Sequence, residues 1–151
     1  MKRFRFPLRP VTIIRSHREV KAREAFGLAV HNYVKAEEDL GRTRVRMRAL
    51  EGALFSGRQE KYFATEAALL LSDYRRECAA ETGAETRVVA AREEMQRKRD
   101  DYIEAHRQLE VVNRLEEKAR TAHRRENDRV EQAEFDDLAG RRRVKPYAVP
   151  T

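Results

Sequence analysis

Residues 22–54 read AREAFGLAVHNYVKAEEDLGRTRVRMRALEGAL, and this stretch decides the fold. Phe26, Tyr33, Leu40, Met47 and Leu54 recur at intervals of seven. Ala29, Ala36, Thr43 and Leu50 follow three places after the first four, with Ala22 one step earlier. Arg, Lys and Glu fill most other places. An apolar repeat averaging 3.5 residues makes a stripe that two helices hide by winding together. The alanines in the stripe allow close helix approach but bury little area. Upstream, Val11, Ile13 and Ile14 begin this helix just after Pro10.

Downstream, Ser56-Gly57 reads as the break. Ser56 has Gln59 three places on, the pattern of a capping box at a helix start. Helix one is therefore expected over about 11–55 and helix two over about 57–139. The second helix carries its own heptads: Ala67, Tyr74, Glu81, Val88, Met95, Tyr102 and Leu109, interleaved with Phe63, Leu70, Glu77, Ala84, Ala91, Lys98, Ala105, Val112 and Ala119. Glu77, Glu81, Gly83 and Lys98 interrupt these rows, which predicts a weaker or irregular stretch near 77–85. Val130, Ala133, Phe135 and Leu138 close the pattern, and Gly140 reads as a left-handed C-cap ahead of Arg141, Arg142 and Arg143. The expected fold is all-α: a long two-helix antiparallel coiled-coil hairpin with a longer second helix. Residues 1–10 form a basic N-terminal segment, 11–139 the hairpin and 140–151 a basic flexible tail. At 1.5 Å per residue helix one spans roughly 65–70 Å and helix two about 120 Å. A turn at Ser56 pairs helix one with residues up to about 105 and leaves the rest of helix two projecting.

Composition agrees. Charged residues are 39% of the 151 and mean hydropathy is -0.85, so a thick globular core is excluded and a narrow stripe per helix is left. No proline falls between Val11 and Lys145, which permits very long helices. The net charge of +7 is uneven. Residues 1–25 hold eight Lys/Arg against two Glu, and 141–151 hold four Lys/Arg and no acid, so the middle is slightly acidic. A single fold-back would join both ends into one cationic pole, suited to acidic protein, anionic lipid or nucleic acid. The single cysteine, Cys78, excludes an internal disulfide and fits a reducing compartment. The longest apolar run, Ala67 to Leu71, is far shorter than a membrane span, and the basic start has no apolar region behind it. The location expected is cytoplasmic.

Catalytic patterns are missing. The glycines form neither a P-loop nor a dinucleotide fingerprint, and His17, His31, His106 and His123 lie too far apart for a zinc motif. His123 falls on the seam register, and Cys78 sits beside the heptad rows, both positions for packing. The expectation is no enzyme, no cofactor and no metal. The cluster Phe55, Tyr62, Phe63, Leu69, Leu70 and Leu71 exceeds what one seam can bury near the turn. It is either core at the turn or an exposed patch for a partner.

Two segments carry a resemblance. Phe4-x-Phe6-x-Leu8-x-x-Val11, running into Ile14-Arg15, resembles the amino-terminal signature of the flagellar export protein FliJ family. Glu134-Phe135-Asp136-Asp137-Leu138-Ala139, followed by Arg141-Arg142, resembles that family's closing motif. The resemblance implies a component of the flagellar type III export apparatus, built like the central stalk of rotary ATPases. Its implied partners are the hexameric export ATPase ring, the export-gate protein FlhA and export chaperones. It would sit peripherally at the cytoplasmic face of the inner membrane through those partners. Phe4, Phe6, Leu8, Arg9, Phe135, Asp136, Leu138, Arg141 and Arg142 are the candidates for the ATPase, and the turn cluster the candidate for the gate. A virulence-secretion (injectisome) stalk shares the architecture. No nucleic acid is expected, because the arginines of the body alternate with glutamates where a backbone-tracking stripe would carry one sign. A nucleic-acid-binding coiled coil and a purely structural coiled-coil dimer are the rivals.

Overall fold

A computed structural model describes residues 3–60 and 63–143, with side chains from 3–57 and 63–141. It contains two helices, α1 (Arg9–Glu60) and α2 (Ala64–Arg143), and no strand among the described residues. They pack against each other as a helical hairpin whose second helix is the longer. No helix among the described residues is long and apolar enough to cross a membrane.

Helix α1 starts two residues earlier than Val11. Pro10 lies in its first turn, where its missing N–H has no intrahelical partner to lose. Phe6 and Leu8 carbonyls accept from the backbone N–H of Arg9 and Thr12, and Thr12 Oγ1 also donates to Leu8 O. At the other end α1 runs through Ser56-Gly57 to Glu60, so the expected break is displaced. Serine and glycine cost a helix only about 0.5–1 kcal/mol each, less than packing across the seam returns. Phe63 immediately precedes α2, and its carbonyl accepts from Glu66 and Ala67 N–H. The Ser56 capping box therefore does not form. Tyr62 lies outside the described residues. At the far end α2 passes through Gly140 to Arg143, so Gly140 is a helical residue and no C-cap. Arginine is a good helix former, and a lone glycine does not outweigh three of them.

The chain divides into two compact units: Glu19–Ala105, and Met1–Arg18 with His106–Thr151. In the first, every predicted seam residue of α1 from Ala22 to Leu54 is buried or half-buried. Leu28, Val34 and Val45, off the stripe, are exposed. Leu40, Ala84 and Val88 form the core, with Tyr33 and Ala36 packed on it. The antiparallel register shows in the cross-helix pairs. Tyr74 Oη donates to Glu51, Arg46 meets Glu77 at 3.2 Å, Arg44 meets Glu81 at 2.9 Å, and Phe26 stacks on Tyr102. Numbers rise on α2 as they fall on α1.

The irregular stretch expected near 77–85 is absent: α2 is continuous there, and Ala84 is 1% exposed. Glu77 and Glu81 do occupy seam positions, half-buried. Their carboxylates reach across the seam to Arg46 and Arg44, with Arg44 also bonded to Glu85. The charge thus leaves the stripe while the methylenes stay in it. At Gly83 an added Cβ would meet only the end of the Arg87 side chain, so the glycine marks no kink.

Candidate functional site

Unit Met1–Arg18 with His106–Thr151 holds the first cluster of candidate residues. Its helices are pinned by Val112, 2% exposed, and by Arg15, whose Nη1 donates to the Gln108 carbonyl at 2.9 Å. Arg3 to Leu8 precede α1 without helical structure and lie against α2. Phe4 meets His123 edge-on, with ring centroids 5.5 Å apart. The Arg120 guanidinium stands 5.3 Å from the Phe4 ring, a cation–π contact. Arg120 also bonds Glu116 at 2.9 Å, and Arg9 approaches the same carboxylate at 3.8 Å. His123 receives or gives a bond to Asn127 on the next turn.

These contacts leave a groove of about 1250 Å³. Arg3, Arg5, Arg9 and Arg120 line it against one acid, Glu116, over a floor that includes Phe4, Phe6 and Ile13. Phe4 and Phe6 are half-buried; Leu8 is exposed.

The closing motif is placed elsewhere on the same helix. All residues from Gln132 to Arg141 are exposed, with Phe135 at 65% and Leu138 at 58%. Asp136 accepts a bond from Gln132 one turn back. Twelve residues separate Phe135 from His123, about 18 Å along an α-helix. The described parts of the two motifs therefore stand apart along α2, and residues 144–151 of the expected cationic pole lie outside the described residues. Phe4 lies against Arg120 and His123, and Arg141 stands a further stretch along α2. Arg142 is helical, but its side chain is outside the described residues, as is that of Arg143.

The second cluster lies in unit Glu19–Ala105. Phe55, Phe63 and Leu69 are exposed, Phe63 at 78%, while Leu70 is half-buried. Of the two readings of this cluster, exposure fits Phe55, Phe63 and Leu69, and packing fits Leu70. Nearby, Tyr74 has its phenol pushed up to about 12 by its hydrogen bond to Glu51 and then by Cys78 beside it. The Arg92 guanidinium sits 5.7 Å over Tyr33 and bonds its hydroxyl. Among the described residues no group of His, Cys, Asp and Glu could hold a metal ion.

Sequence reasoning put His123 on the seam but missed it as the seat of Phe4, and it missed Arg120 and Glu116. The signal was present only as the seam register of residues 116 and 123.

Among the described residues the fold and its surface define a charged two-helix hairpin whose candidate residues lie in the N-terminal segment and along helix faces, on open surfaces. Residues 4–145 match the family model described as flagellar FliJ protein, and the chain belongs to that family. It is thereby a flagellar export-related protein of a non-enzymatic family. No curated protein and no solved structure matches it.

Proposed function

We propose that this protein is a non-catalytic stalk of the flagellar export apparatus. It binds the export ATPase ring through its N-terminal segment and the closing motif of α2, and the export gate through the apolar cluster at the turn. The observation that carries this reading is the exposure of Phe135 and Leu138. They are large apolar side chains left mostly exposed in the closing segment of a chain of this family. Such residues beside charge are the usual anchors of a protein contact. The arginine-lined groove supports the same reading, since it suits acidic loops of a ring. Phe55, Phe63 and Leu69 supply apolar area at the turn for the gate protein. Working there, the protein resides in the cytoplasm and reaches the membrane face through these partners, where it also meets export chaperones.

Co-sedimentation with the cognate export ATPase tests this, with ATP hydrolysis and ring assembly followed in the same samples. Stimulated hydrolysis with one hairpin per ring is the expected result. Failure of the folded protein to bind the ATPase at low salt overturns the stalk assignment.

A further inference from the structure

The end of α2 carries opposite chemistries on one face. Arg120, Arg124, Asn127, Glu131, Phe135 and Leu138 follow one another at steps of three or four, which keeps them on one side of a helix. The first two are basic, and the last three are acidic or apolar. From Glu131 to Leu138 there is no Lys or Arg, although the chain as a whole is basic, and Glu131 and Glu134 lie on or beside the face of Phe135 and Leu138. The groove under the N-terminal segment, by contrast, presents four arginines to one glutamate over apolar rings. An acidic, phenylalanine-bearing helix face and a basic, phenylalanine-floored groove are complementary in both charge and polarity.

One chain cannot bring the two together. The groove is fixed to α2 through Glu116, Arg120 and His123, and His123 and Phe135 are held about 18 Å apart by twelve residues of the same continuous α-helix. Phe4 occupies the place beside His123 that a folded-back segment would need.

We infer that a second copy of this chain fills the face. Two α2 ends crossing antiparallel about a two-fold axis near Asn127 and Asp128 set Arg120 and Arg124 of each copy beside residues 131–138 of the other. The arrangement is isologous, so each basic half meets an acidic half twice and the contact closes on itself. Phe135 of each copy then lies over the apolar floor of the opposite groove. The overlap of residues 120–138 is about 28 Å of helix, which places the contact among the small, weak interfaces. Much of its attraction is between exposed charges, so it weakens as salt shortens the Debye length from about 10 Å at 0.1 M to about 3 Å at 1 M. If this end also engages the ATPase, as proposed above, dimer and ATPase complex exclude each other. That consequence rests on the proposed function; the dimer itself does not.

Sedimentation equilibrium of the full chain at low salt, with no ATPase present, tests the inference. The wild type is expected to dimerise across the micromolar range. R124E, which spares the Phe4 contacts, and the pair E131K/E134K are each expected to weaken dimerisation by about tenfold or more, since each sets like charges opposite one another. An equimolar mixture of the two variants restores opposite charge and is expected to recover a mixed dimer. Far-UV circular dichroism confirms that each variant is folded. A wild type that stays monomeric, variants that dimerise as well as wild type, or a mixture that recovers nothing would each overturn it.

Discussion

Leu40→Ala tests whether the narrow stripe carries the stability of the hairpin. Leu40 is 9% exposed and packs with Ala84, Val88, Tyr33 and Ala36 in unit Glu19–Ala105. The substitution removes three carbon atoms, each worth about 0.8 kcal/mol of burial, or about 2.4 kcal/mol if fully buried. Exposure trims that by a tenth. A cavity would add to the loss, but two helices with no third layer can settle into the space, which keeps the total near 2 kcal/mol, at the low end for leucine-to-alanine changes. Leu28, 62% exposed and off the stripe, is the control: Leu28→Ala should cost less than about 0.5 kcal/mol. Urea denaturation followed by circular dichroism reads both. With a slope of about 2 kcal/mol/M, L40A lowers the midpoint by about 1 M and L28A barely moves it. Native-state hydrogen exchange places the L40A effect in amides of residues 19–105. Equal midpoint shifts for L40A and L28A would refute the argument, because burial on the stripe would then carry no more than any exposed position.

Three further outcomes follow from the same structure. Glu81→Leu should raise the urea midpoint, because a half-buried seam position gains apolar area while the lost surface ion pairs to Arg44 are worth little; a lowered midpoint would show that pairing is the stronger term. Tyr74, its phenol raised to about 12 by the bond to Glu51, should ionise later than an ordinary tyrosine near 10 when followed by ultraviolet absorbance, and E51Q should bring it back down. Since the folded chain holds that proton more tightly, its contribution to stability is present below pH 10 and lost as pH rises from about 10 through 12. Phe135→Ala with Leu138→Ala should weaken ATPase binding by about tenfold or more without changing helical content, since both side chains are exposed and pack on nothing that folding needs; unchanged binding would remove the closing motif from the proposed contact.

Much of the hairpin is legible in the periodicity of its residues. A helical stripe needs only position along the chain, so Phe26, Tyr33, Leu40, Met47 and Leu54 announce their face before any partner is known. Helix boundaries are another matter. Ser56-Gly57 and Gly140 both carry stop signals worth about a kilocalorie per mole, and in each case the helix runs on. Glu77 and Glu81 read as interruptions because their charges were counted and their reach was not. Whether a glutamate disrupts a seam depends on a guanidinium within about one side-chain length across it, and Arg44 and Arg46 supply that.

The candidate sites divide the same way. Phe4, Phe6, Phe135 and Leu138 could be named from their motifs. Their surroundings could not, because Arg120, Glu116 and His123 come to the N-terminal segment only through the antiparallel register, across more than a hundred residues of chain. Sequence alone determined the all-helical class, the stripe on each helix, the longer second helix and the basic termini, since these depend on composition and on spacings within one segment. Only the tertiary structure decided where the helices stop, that the seam glutamates are paired, and that Phe4 seats on His123, about 18 Å along α2 from Phe135. Those outcomes depend on which residues of α1 face which residues of α2, and that register is a property of the packed pair.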